Sequence, residues 1–145
     1  MVRRRAKDID RVTVEVELTN AEDLVLVKDG RMQLDQLRRV RTTGLVGKGA
    51  SHLVLPEDVV KQLGVPEMGK TTVFYADQRR GSRTVVENVR VDLLKRHGNF
   101  TAVVEPKRTD VLIGFIVLED LDLIVDCRSQ TLQPRDPKGH TALIE

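Results

Sequence analysis

From Val12 to Leu18 every second residue is aliphatic, with Thr13, Glu15 and Glu17 between Val12, Val14, Val16 and Leu18. A period of two places one set of side chains on a buried face and the other in water, which a strand satisfies and a helix does not. The same signature recurs roughly every ten residues, so the chain is expected to be all-β, a barrel or sandwich of short strands. The apolar run 24–27 reads as a strand closed by Lys28, Asp29 and Gly30. Residues 32–39 fit either a helical turn or an irregular connection, after which Val40 and Thr42 lead into a strand-like Leu45 and Val46. Further strands are expected over 71–76, 84–94 (Val89, Val91 and Leu93 alternating), 100–104, 111–113 and 121–125, with turns over 77–81 and 97–99. One or two short helices interrupt them. The first, about 56–63, has Pro56 at its start, Glu57 and Asp58 at the positive end of the dipole and Gly64 as its stop. The second covers about 117–120.

At 145 residues, with 40% hydrophobic and 32% charged residues, the chain suits one globular domain, assigned to 11–145 behind a basic N-terminal tail over 1–10. Its apolar runs are far too short to span a bilayer, no signal-like stretch follows the tail, and a cytoplasmic location is the expectation. The net charge of +2 and an aromatic content of 3% without tryptophan argue against a nucleic-acid partner, since base stacking has little to work with. The lone Cys127 forms no internal disulfide, and His52, His97 and His140 are too scattered for a local zinc motif, so neither metal nor cofactor is expected.

The chain carries an internal echo. Leu45-Val46-Gly47, followed by Leu53-Val54-Leu55-Pro56-Glu57-Asp58, is matched by Leu112-Ile113-Gly114, followed by Ile116-Val117-Leu118-Glu119-Asp120. The segment LVGKGASHLVLPEDVVKQLGV resembles the active-site segment of retropepsin-like aspartic proteases, in which two apolar residues precede Asp-Thr-Gly-Ala-Ser/Thr. Tyr75, Ala76, Asp77 and Gln78 resemble that family's flap, and Leu112-Ile113-Gly114 its late apolar-apolar-Gly element. The resemblance extends roughly over 12–134 and is closest to small bacterial and archaeal single-domain members, whose endings are similar to LEDLDLIVD followed by LQPRDP. It implies a closed barrel with a flap hairpin over an active-site loop, and a homodimer whose cleft lies on the two-fold axis.

The family's Asp-Thr-Gly is here Gly47-Lys48-Gly49. Aspartic proteolysis needs two facing carboxylates that share a proton, one of which takes a proton from water, and Gly47 has no side chain for either role. Asp77, Asp110 and Asp126 read as turn or surface carboxylates and not as substitutes. Two lysines replacing the paired threonines at ~4 Å, with an effective dielectric of about 20, would repel by about 4 kcal/mol, unless they swing outward or hold an anion between them. Lys48 within VGKGAS also admits an anion-binding loop, although the Walker spacing is absent. Ser51 and His52 are expected to point to opposite faces and not to act as a pair. Two classes stay open: a pseudoprotease acting as a dimeric peptide- or protein-binding module, and an aspartic endopeptidase by lineage that is inactivated or uses another group. In either case the cleft is expected to be neutral or positive, favouring an acidic segment.

Overall fold

The computed structural model describes residues 12–47 and 49–145; the expected basic tail over 1–10 and Lys48 lie outside the described residues. Strand β1 (Val12–Asn20) buries Val12, Val16 and Leu18, as its alternation requires. One edge of β1 pairs antiparallel with β2 (Arg39–Val46), from Val12 opposite Val46 to Thr19 opposite Arg39. Next to β2 lies β7 (Val111–Ile113), then β3 (Leu53–Pro56), β6 (Arg96–Glu105) and β5 (Arg80–Leu93). The other edge of β1 pairs with β5, from Glu17 opposite Asp92 to Asn20 opposite Val89. These six strands form a closed barrel, the expected all-β architecture, which leaves the ring no free edge.

The 14-residue β5 serves two partners. Its later half belongs to the ring, while its first half pairs with β4 (Glu67–Phe74) to form a hairpin outside it. Val85 and Val86 serve both, pairing with β6 as well as with β4, and a register shift between Val86 and Val89, with Asn88 at φ 62°, interrupts the ring ladder. Asparagine tolerates this left-handed conformation better than most residues, and a bulge re-aims a strand without ending it. Val86, Val89 and Val91, with Leu53, Leu55, Ala102 and Ile113, form the barrel core, all almost fully buried.

Several elements differ from the sequence expectation for identifiable reasons. The run over 24–27 lies within helix α1 (Ala21–Lys28), not in a strand. Asn20 caps it by accepting from the Asp23 N–H, Glu22 and Asp23 occupy the first turn, and these local signals prevail over an apolar run whose Val25 is exposed. Over 32–39 the connection contains a single 3-10 turn, Leu34–Gln36. Strand β4 starts earlier than expected and stops at Phe74, so the hairpin tip is Tyr75 to Arg79. His97-Gly98-Asn99 is inside β6, not a turn. The chain reverses at Leu94 and Lys95, both at positive φ (51° and 65°), a geometry that turn composition usually assigns to Asn-Gly.

Helix α2 (Glu57–Leu63) has Pro56 as its N-cap and Gly64 as a left-handed C-cap at φ 62°. Helix α3 (Phe115–Leu121) is longer than the expected 117–120, and with α1 the described residues contain three helices where one or two were expected. The strand expected over 121–125 begins at Leu123 and, as β8 (Leu123–Asp126), pairs with β9 (Thr131–Pro134) in a separate ribbon.

A buried polar knot joins α1, β2 and α2. Asp23, 2% exposed, accepts from Arg38 Nε (2.9 Å), Nη2 (3.0 Å) and backbone N (3.1 Å). Asn20 Nδ2 donates to Leu63 O at 2.8 Å. The Arg38 guanidinium lies so close to Gly64 that a Cβ there would sit 2.0 Å from Nη1. The hydrogen bonds from Arg38 hold the Asp23 carboxyl below its usual range, against the opposing effect of burial. Arg38→Ala should therefore cost about 3 kcal/mol, near the lower end for orphaning a buried charge, because the half-exposed arginine leaves water a way in. Since the folded-state pKa is depressed, the stabilisation from Asp23 is present above the unfolded value of about 4 and is lost as pH falls through the folded one. Urea unfolding should accordingly show the difference between the parent and Asp23→Asn shrinking below about pH 4.

Candidate functional site

The two halves of the internal echo are neighbours in the barrel. Strand β7 runs parallel to β2 with Leu45 opposite Leu112 and Val46 opposite Ile113, and antiparallel to β3 with Val54 opposite Leu112. Beyond the strands, Gly47 N–H donates to Ile113 O at 3.1 Å and Ala50 N–H to Gly47 O at 3.2 Å. The start of α3 completes the seat: Phe115 N–H donates to Ala50 O (2.8 Å) and Ile116 N–H to Ser51 O (2.9 Å). Gly114 is required by close approach, because a Cβ there would lie 2.3 Å from His52 O and 2.7 Å from His52 N. The 47–52 loop is thus positioned by main-chain bonds and one glycine contact.

A Cβ on Gly47 would meet Leu112 Cδ1 at 2.6 Å and Ala50 Cβ at 3.4 Å, so the Leu112 side chain occupies the space into which a residue at 47 would project. Gly49 faces open space. Ser51 Oγ and His52 Nδ1 lie 2.6 Å apart, contrary to the expectation that they face away from each other. Residues 51 and 52 form a bend and not a strand, so the alternation rule does not apply to them. Both are exposed, and no carboxylate among the described residues is hydrogen-bonded to His52 to orient the ring. Asp77 is exposed and bound to Arg79 Nε at 2.6 Å, Asp126 accepts from the Arg128 N–H at 2.9 Å, and Asp110 sits in the exposed approach to β7. Among the described residues, none of these three is hydrogen-bonded to the loop.

Tyr75, Ala76, Asp77 and Gln78 occupy the tip of the β4–β5 hairpin, where Tyr75 N–H donates to Arg79 O and Gln78 N–H to Tyr75 O, both at 2.9 Å. Tyr75 Oη donates to Glu105 Oε2 at 2.6 Å, and Arg83 Nε donates to Glu105 Oε1 at 2.9 Å. Burial pushes the Glu105 carboxyl up, but the bonds from Tyr75 and Arg83 outweigh it and hold the group below its usual range. The bond to Glu105 in turn raises the Tyr75 phenol. Glu105 and Arg83 were not singled out from sequence, because they lie 30 and 8 positions from Tyr75 and meet it only through the β5–β6 pairing. Phe115 and Ile116 were missed as well. They are 57% and 44% exposed beside the loop, a signal visible only as two large apolar residues directly after Gly114.

No model of a known protein family matches the chain, and a search of curated proteins gave no match. Among the described residues no helix is long and apolar enough to cross a membrane, and no three His, Cys, Asp or Glu side chains are grouped as metal ligands would be.

The glycine contacts yield a direct test of the seat. Gly114→Ala must displace the backbone at His52 and should cost about 3 kcal/mol or more, whereas Gly49→Ala should stay within about 0.5 kcal/mol of the parent; thermal unfolding of the two variants distinguishes them.

Proposed function

We propose that this chain is a pseudoprotease of the retropepsin-like aspartic type, a dimeric scaffold that binds an extended peptide or protein segment and does not cleave it. The observation that carries the reading is the parallel seat of Leu45-Val46-Gly47 against Leu112-Ile113-Gly114, since these are the two elements on which the sequence resemblance rests. The hairpin formed around Tyr75 to Gln78 supports it in the third matching segment. Absence of an acid at 47 removes the general base, and neither Asp77, Asp110 nor Asp126 stands in for it. A second copy is the natural cover for Phe115 and Ile116, which project beside the loop where the family's two-fold axis would pass.

Binding an extended segment would use strand addition. Strand β4 pairs with β5 on one side and is the edge strand of the sheet, so main-chain groups on its other side are available to a peptide. With no carboxylate at 47 and a lysine at 48, an acidic segment is the first ligand to try.

Three proteins decide between the readings: the parent chain, Gly47→Ala, and Gly47→Asp combined with Lys48→Thr. The introduced aspartate requires the Leu112 side chain to repack, since a Cβ at 47 would lie 2.6 Å from its Cδ1 and 3.3 Å from its Cγ, so thermal unfolding of the double variant is measured alongside cleavage. Only this variant should cleave peptides, with an acidic optimum set by the shared proton of the carboxylate pair. Cleavage by the parent that disappears on mutation of Asp77 or Asp110 would overturn the assignment. Sedimentation velocity should show the parent as a dimer.

A further inference from the structure

We propose that the Phe74 face of the β4–β5 hairpin is a docking surface for unpaired nucleic acid, with Phe74 stacking on a base while Lys70 and Arg80 meet phosphates. The inference rests on the hairpin's own side chains and stands whether or not the chain is a pseudoprotease.

Cross-strand register sorts the ribbon into two faces. Lys70 lies opposite Thr84, Thr72 opposite Ser82 and Phe74 opposite Arg80, while the pairs Thr71 with Arg83 and Val73 with Gly81 belong to the other side. The cations differ in their surroundings. On the second face Arg83 is bound to Glu105 at 2.9 Å, and at the tip Arg79 is bound to Asp77 at 2.6 Å. On the first, among the described residues, Lys70 and Arg80 are in no ion pair, and the six side chains are two cations, three hydroxyls and an aromatic ring. The acids nearest in sequence lie beyond its ends, Glu67 across a register shift and Asp77 in the turn. This strip therefore presents uncompensated positive charge, which complements a phosphate backbone.

Phe74 decides which polyanion fits. Its side chain is 68% exposed with the Arg80 guanidinium 5.0 Å from the ring centre. A base stacked on the ring would take from water the apolar area that the guanidinium leaves uncovered. Lys70 lies four residues along β4, about 13 Å away at strand spacing, with the hydroxyls of Thr72, Ser82 and Thr84 between to bond phosphate and sugar oxygens. The ring can reach only a base that is not already paired and stacked, so the ligand is a single strand or a loop. The aromatic content of 3%, averaged over the chain, conceals this placement, because Phe74 and Tyr75 adjoin and three guanidinium groups lie within 5.7 Å of their ring centres.

Other anionic partners fit less well. A tip that entered a lipid surface would carry Asp77, Gln78 and Arg79 with it, and Phe74 behind them is flanked by Thr72 and Arg80, too little apolar surface for insertion. An acidic peptide would meet the two cations but brings no planar group to the ring.

Anisotropy of labelled oligothymidylate and oligouridylate at low salt tests the face, and binding of either supports it. Phe74→Ala should weaken binding about tenfold and leave the slope of log affinity against log salt as in the parent. Lys70→Gln and Arg80→Gln should each reduce that slope by about 0.7, whereas Lys61→Gln, an exposed cation on α2, should leave it unchanged. All three hairpin residues are exposed, so these variants should keep the parent's thermal midpoint. An abasic strand should bind the parent about as weakly as the full strand binds Phe74→Ala. No binding by the parent, Phe74→Ala binding as tightly as the parent, or an equal slope change in Lys61→Gln would overturn the proposal. So would tighter binding of a duplex, of polyglutamate or of phosphatidylserine vesicles than of either oligonucleotide.

Discussion

Strand β1 pairs with both β2 and β5, and the ring exists because its two edges are occupied at once. That double pairing imposes strict demands on nine residues. Val12, Val16 and Leu18 must face the core while neighbouring main-chain groups bond left and right, and a one-residue slip would turn the buried set outward. The Asp23–Arg38 knot lies at the exit of β1, tying α1 to the start of β2 and so fixing where the first ladder begins. Closure then determines what lies beside β2: with β1 on one side, the other side is left for β7, the strand carrying the second apolar-apolar-Gly element.

The candidate loop inherits its geometry from that arrangement. Because β7 lies between β2 and β3, the chain leaving β2 must cross its end before returning as β3, and residues 47–52 make this crossing. The crossing is tight enough that Gly114 leaves room for only a hydrogen against the His52 backbone. The hairpin has the opposite character. It stands outside the ring beyond Val85, and the side chains of Tyr75 and Arg83 tie it to Glu105 at the end of β6.

What could be read from the sequence follows the range of the forces involved. Alternation in β1 and in Val89, Val91 and Leu93 reports a buried face directly, and these strands lie where the pattern puts them. Gly64 ends α2 as its left-handed φ allows. Short apolar runs are ambiguous by nature: residues 24–27 became helical because the cap at Asn20 and the pairing of Asp23 with Arg38, 15 positions away, outweigh a preference that four residues express only weakly. The Leu94-Lys95 reversal was hidden for a related reason, since pairing between two long strands imposes positive φ on residues whose composition does not suggest a turn. At the site, the two glycine elements were visible as an echo and the hairpin tip as a motif, but Glu105, Arg83 and the Ser51–His52 contact depend on tertiary register or on a local bend that no spacing rule encodes.

The way the loop is held bears on what a side chain at 47 contributes to the fold. Among the described residues, the bonds that seat Gly47, Ala50 and Ser51 on β7 and α3 are made by main-chain atoms, and Gly114 accommodates the close approach of His52. A side chain at 47 contributes nothing to this seat, and the space it would need is filled by Leu112. On the proposed reading, a scaffold held in this way keeps the loop, the edge strand and the hairpin in place with no acid at 47, and recognition of an extended segment would depend on those three elements.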